Sequence, residues 1–151
     1  MYGESAYLFQ GVSDETRQKI QDIQFEVLCQ AGDFLFREHD PAANFFILTE
    51  GRIRLCVGSG QLLAYVASSV GDIVGWSSLV DNGAYTASAE CLAPTKVLRI
   101  EKQGLDKILH QDPASGMIFF KHLAALVGRR LVRSYRATLS VHGNRPPQPG
   151  G

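Results

Sequence analysis

No run of apolar residues in this chain approaches the roughly 20 needed to span a bilayer, so the sequence predicts no membrane-spanning helix. The opening residues Met1-Tyr2-Gly3-Glu4-Ser5 lack the basic and apolar regions of a signal peptide, which points to the cytoplasm. Cysteine is scarce. Cys29, Cys56 and Cys91 are odd in number and widely spaced, and none has the paired spacing of a zinc or iron–sulfur site. Each sits in an apolar run and reads as a small core residue in a reducing compartment. An excess of either charge is also absent, with 15 Lys and Arg against 15 Asp and Glu. Bulk electrostatics therefore gives no support for binding nucleic acid or membrane surfaces. His39, His110, His122 and His142 show no metal-ligand spacing. Ser77 follows Gly75, but Leu79 stands where a nucleophile elbow needs its second glycine. The sequence offers no catalytic constellation, and the chain is expected not to be an enzyme.

What is present suits one globular domain: 151 residues, of which 45% are hydrophobic. Ser13 or Asp14 caps a helix running to about Ile23. Short strand-like runs follow. Gln24 to Gln30 alternates, with Phe25, Val27 and Cys29 on one face and Leu28 on the other. Phe34 to Phe36, Asn44 to Thr49, Arg52 to Val57 and Leu62 to Ala67 come next, with Gly58-Ser59-Gly60 as a hairpin tip. Ile73-Val74, Thr86 to Cys91 and Thr95 to Ile100 complete about eight strands, the pattern of a sandwich or jelly roll. The period then becomes helical. Lys102 to His110 is a short helix, and Asp112-Pro113 starts a long one reaching about Leu139. Phe120, Ala124, Val127, Leu131 and Tyr135 form an apolar stripe on it, with Leu123 and Ala137 near its edge. The expected division is one domain over 1–140, its long helix over about 113–139, and a disordered tail over 141–151 that holds three prolines and three glycines.

One stretch organises the rest, Gly71 to Ala89. After the brief strand Ile73-Val74, Gly75 permits a sharp turn, Trp76 to Val80 makes a single helical turn, and Asp81-Asn82-Gly83 is a loop signal. A glycine-led helical turn between two strands directs backbone N–H groups one way, the ingredients of an anion site.

This stretch resembles the phosphate-binding cassette of the cyclic-nucleotide-binding domain family, to which catabolite activator protein and the protein kinase A regulatory subunits belong. The family pattern is Gly-Glu, a small residue, Leu, a short loop, then Arg, a Ser, Thr or Ala, and Ala. Here Gly75, Ser78, Leu79, Thr86 and Ala87 fit it, and the recurrent glycines Gly32, Gly51 and Gly71 match those of the family's β-roll. The resemblance covers roughly Ile20 to Leu139 and implies a double-stranded, jelly-roll-like β-roll: mainly β, with an N-terminal helix and C-terminal short and long helices. It implies a ligand site of Gly75, Trp76, Ser77, Ser78, Leu79, Tyr85, Thr86 and Ala87 for a cyclic nucleotide or other small anionic ligand. Two positions depart. The Glu that holds the ribose hydroxyl falls on Trp76, and the Arg that neutralises the phosphate falls on Tyr85. A buried phosphodiester needs a cation or several directed donors. Losing two charge-assisted anchors weakens binding by on the order of a hundredfold to several thousandfold. Trp76 either fills the ribose position or stacks on an aromatic ligand.

The resemblance further implies a homodimer through the long helix and signalling through a protein effector. Family transcription factors continue past this helix into a helix-turn-helix domain, so no direct DNA binding is expected of a chain stopping at Gly151. The arginines Arg129, Arg130, Arg133 and Arg136 read either as a solvated helix face or as a grip for phosphate or an acidic partner. The function expected is a small-ligand sensor or regulatory module. The alternatives are an interaction or structural protein with a vestigial pocket, and a transcription-regulator-like subunit served by a separate DNA-binding partner.

Overall fold

The computed structural model describes residues 3–58, 62–80 and 83–143. The expected tail beyond 143, the hairpin tip at Ser59-Gly60 and the loop residues Asp81-Asn82 lie outside the described residues. Two helices, α1 (Gly3–Leu8) and α2 (Asp14–Asp22), precede eight strands: β1 (Gln24–Cys29), β2 (Phe34–Phe36), β3 (Asn44–Glu50), β4 (Ile53–Val57), β5 (Leu62–Ala67), β6 (Ile73–Val74), β7 (Ser88–Cys91) and β8 (Thr95–Glu101). A 3-10 turn, Trp76–Leu79, separates β6 from β7, and α3 (Lys102–Gln111) and α4 (Pro113–Gly143) close the chain. The strands form two antiparallel sheets, β1-β8-β3-β6 and β2-β7-β4-β5. This is the expected β-roll with flanking helices.

The register of β3 shows why the roll holds. Phe45 and Ile47 pack toward the helices with Ile73, Ile100, Leu105, Phe119 and Leu123. Phe46 and Leu48 point the other way, into the roll, with Val74, Val97, Ile53 and Ala89. A strand buried on both faces needs an unbroken apolar run rather than alternation, and Phe45-Phe46-Ile47-Leu48 supplies it. β1 differs. It is an edge strand paired only with β8, and Phe25, on the face it shares with Val27 and Cys29, is 64% exposed.

The start of α4, just after α3, is secured by one carboxylate. Asp112 caps α4 by accepting from the Ser115 N–H at 3.3 Å, and its other oxygen accepts the hydroxyls of Ser13 (2.8 Å) and Thr16 (2.7 Å). Ser13 in turn caps α2, its hydroxyl accepting from the Thr16 N–H. One side chain thus joins the starts of α2 and α4. These hydrogen bonds, Ser115 first, then Thr16 and Ser13, hold the Asp112 carboxyl well below the usual carboxylate range. A depressed folded value means that the stabilisation is present above the unfolded value of about 3.9 and is lost as pH falls toward the folded one. Asp112→Asn is therefore expected to flatten the acid limb of the stability profile between about pH 4 and pH 2. Urea titrations across that range check it; an unchanged acid limb in the variant would remove Asp112 from the account.

α4 differs from its sequence reading in two respects. It continues to Gly143, beyond the expected end near Leu139. Its core-facing stripe is Ser115, Phe119, Leu123 and Leu126, one position along from the stripe read in the sequence. Leu123, placed at the edge, is central to that contact. Met117 is exposed, as are Phe120, Ala124, Leu131 and Tyr135 of the expected stripe, while Val127 is only partly covered. The N-terminal residues, which the sequence left without structure, form α1.

Candidate functional site

The cassette is built as the sequence indicates at its start. Gly75 sits in the left-handed region at φ 79° and leads into the turn Trp76–Leu79. A β-carbon there would lie 3.0 Å from the Asn44 carbonyl oxygen and 3.2 Å from the Phe46 ring, so both conformation and space ask for glycine. Ser77, Ser78 and Leu79 are buried. The Ser78 hydroxyl donates to the Gly75 carbonyl at 2.8 Å, and the Ser77 and Thr86 hydroxyls bond each other at 3.0 Å. β7 begins at Ser88 rather than Thr86, which leaves Thr86 and Ala87 in the connecting bend.

Tyr85 is the decisive residue. It occupies the place of the expected phosphate-binding cation, yet it is only 4% exposed and belongs to the core inside the roll. Its ring stacks on Phe36 with centroids 3.8 Å apart, and Phe36 stacks in turn on Phe46. Its hydroxyl donates to the Asn44 carbonyl at 2.7 Å and accepts the Asn44 N–H at 3.1 Å. Its backbone is fastened as well, the N–H to the Asp40 carbonyl and the carbonyl to the His39 N–H. His39 itself holds φ 76°, unusual for a residue other than glycine. Burial raises the phenol above its usual range, so Tyr85 stays neutral at physiological pH. Trp76 is half-buried and leans on the helix-side core rather than on the aromatic stack inside the roll.

One of the four α4 arginines stands close to the cassette, a placement the sequence did not indicate. Arg130 of α4 donates to the Ile73 carbonyl, two residues before Gly75, and to Glu4 at 2.7 Å, and it lies over the Tyr65 ring. It is therefore not on a solvated helix face, although Arg133 and Arg136 are exposed. Arg129 covers the ring of Tyr7, which also packs on His122. No local motif announces Arg130; only its position one helical turn past Leu126 places it on the core-facing side.

An open cleft of about 500 Å³ lies on the second sheet, among Phe34, Arg37, His39, Arg54, Ser88 and Glu90, and reaches the cassette's end through His39, whose N–H donates to the Tyr85 carbonyl. Arg54 and Glu90 pair with each other there at 3.1 Å. Among the described residues there is no cluster suited to a metal ion, and no helix is long and apolar enough to cross a membrane.

The fold and this cassette have relatives. The family described as "Cyclic nucleotide-binding domain" matches residues 26–112, more than half of the chain. Among solved structures, a Geobacter metallireducens protein provisionally assigned as cyclic nucleotide-binding is 30% identical, with a TM-score of 0.73 over 82% of this chain and 91% of its own. The N-terminal domain of a Streptomyces coelicolor transcriptional regulator is 26% identical, with a TM-score of 0.68 over 83% of this chain and 91% of its own. Thermus thermophilus catabolite activator protein, at 24% identity, shares the fold with a TM-score of 0.69; the match spans 91% of this chain and 63% of that protein. No curated protein matches in sequence. The glycine-led turn, the two-sheet roll and these likenesses agree, and the chain belongs to the cyclic nucleotide-binding domain family.

Proposed function

We propose that this protein is a regulatory module, not an enzyme, whose cassette has been taken over by the chain's own groups, so that it signals through protein contacts in the cytoplasm rather than through tight capture of a cyclic nucleotide. The observation that carries this reading is the double hydrogen bond from the Tyr85 hydroxyl to the Asn44 backbone. A phenol that already donates and accepts has little left to offer a phosphate. An anion reaching the turn would meet Gly75, Ser77, Ser78, Leu79, Thr86 and Ala87, with no charge from Trp76 or Tyr85. The exposed side of α4 supports a homodimer, with Leu131 and Tyr135 at its centre. A specific likeness supports a second reading. The Streptomyces coelicolor domain at 26% identity belongs to a transcriptional regulator, which suits a subunit acting through a separate DNA-binding partner.

Calorimetry with cAMP and cGMP tests the cassette. Binding is expected no tighter than roughly −5 to −6 kcal/mol, the high-micromolar range. Submicromolar affinity for either would show that other residues supply both missing anchors and would overturn this reading.

A further inference from the structure

The best-buried ion pair among the described residues stands beside the cassette and joins three elements that are far apart in sequence. Glu4 and Arg130 side chains are 16% and 11% exposed. One Glu4 oxygen, Oε1, accepts the Ile73 N–H at 3.0 Å and the Arg130 guanidinium at 2.7 Å. The same Arg130 nitrogen donates to the Ile73 carbonyl, and the guanidinium covers Tyr65. Its other terminal nitrogen is buried without a partner among the described residues. α1 is seated to deliver this carboxylate. The Ser5 N–H donates to the Gly71 carbonyl at 2.9 Å. Gly3, at φ 58°, lies so near Val70 that a β-carbon would come within 2.8 Å of its carbonyl oxygen. The first turn of α1 therefore docks on the segment that runs into Gly75.

A carboxylate bridging a cassette-strand N–H and a guanidinium on the long helix ties the two together by charge, with the anion supplied by the chain itself. We infer that Glu4 is an internal anion that latches α4 to the cassette strand. It rests on the reading that the cassette carries no charged anchor of its own. Beyond Leu126, Val127 packs partly on the core and Arg129 covers Tyr7, while Leu131, Val132 and Tyr135 are exposed. Opening the latch would free that half of the helix while the roll stays folded, because Leu131, Val132 and Tyr135 contribute nothing to the two cores. The first turn of α1, which carries Glu4, is then the regulatory element, while Leu8 at its end stays in the helix-side core.

Native-state hydrogen exchange on the full chain, without nucleotide, tests this. Glu4→Gln is expected to speed exchange about ten- to a hundredfold in the amides of 126–134 and 73–79, leaving β8 as in the wild type. Glu4→Asp, which keeps the charge one methylene short, is expected to show a smaller effect in the same segments, and it carries the test if the Gln variant fails to fold. Arg130→Met combined with Glu4→Gln is expected to match the worse single variant, as for one coupled unit. The latch is overturned if exchange at 126–134 is unchanged, if it rises equally in β8, or if the two substitutions multiply independently. Tight cAMP binding in the calorimetric experiment would sink the cassette reading without altering these exchange rates, so the two failures are distinguishable.

Discussion

Tyr85→Ala is expected to destabilise the domain by about 3–5 kcal/mol, the range for removing a buried aromatic side chain. The ring is sandwiched into the core with Phe36 and Phe46 on its side, and a cavity there borders Gly75, whose neighbours are those same rings. Two costs can be separated. Tyr85→Phe keeps the ring but leaves the Asn44 N–H and carbonyl without the hydroxyl that serves both. An unsatisfied buried polar group costs about 1–3 kcal/mol, so the Phe variant is expected to lose about that much and the Ala variant more. Urea denaturation measures both through the midpoint at constant slope. Tyr85→Arg separates the structural role from a ligand role. A guanidinium at this site must be buried in an aromatic stack built for a neutral ring, so the variant should be destabilised. If it is as stable as the wild type and gains micromolar cAMP affinity, the phenol is a replaceable occupant of a working site.

Leu131→Glu is expected to convert a dimer into a monomer. Leu131 is 51% exposed on a single chain, and Tyr135 and Val132 beside it are likewise uncovered. Burying such a side chain against a second copy contributes about 1.5–3 kcal/mol, and two-fold symmetry makes each substitution count twice. The dimer dissociation constant should rise on the order of a hundred- to ten-thousandfold, with little loss of stability in the domain itself because Leu131 takes no part in its cores. Sedimentation velocity of both proteins decides. A wild type that is monomeric at tens of micromolar would mean that the stripe has no second copy to meet. Val127 offers a check from the other side. It is already partly packed on its own core, so Val127→Ala should weaken folding as well as association.

The α4 stripe shows where sequence periodicity stops being decisive. Phe119, Leu123 and Leu126 form one apolar row and Phe120, Val127 and Leu131 a neighbouring one. A helix with two adjacent apolar rows satisfies a 3.6-residue period in more than one orientation. The roll's shape selects the first row and leaves the second outside. Phe25 and Leu28 are similar: their residue types suit a strand, but only the strand order places β1 at an edge and both side chains in solvent.

Local chemistry was legible where it was self-contained. Ser13 caps α2 because a hydroxyl before a helix can satisfy its free N–H groups, and Pro113 opens α4 because the first turn needs no N–H from it. Gly75 leads the cassette because that turn demands positive φ. The eight strands and the family follow from such punctuation, from apolar runs and from the cassette's spacing. The six-residue helix α1 gave no such signal, since so short a helix is stable only when docked. Tertiary structure alone decided the site's character. A Tyr in the arginine's slot can reach outward to a ligand or inward to a core, and the inward choice depends on Phe36 and Asn44, about 40 or more positions away. The Glu4–Arg130 bridge spans 126 positions. Pairing at that distance is set by how the helices close over the roll, which no local pattern encodes, because burial and charge are properties of the assembled neighbours and not of the residue itself.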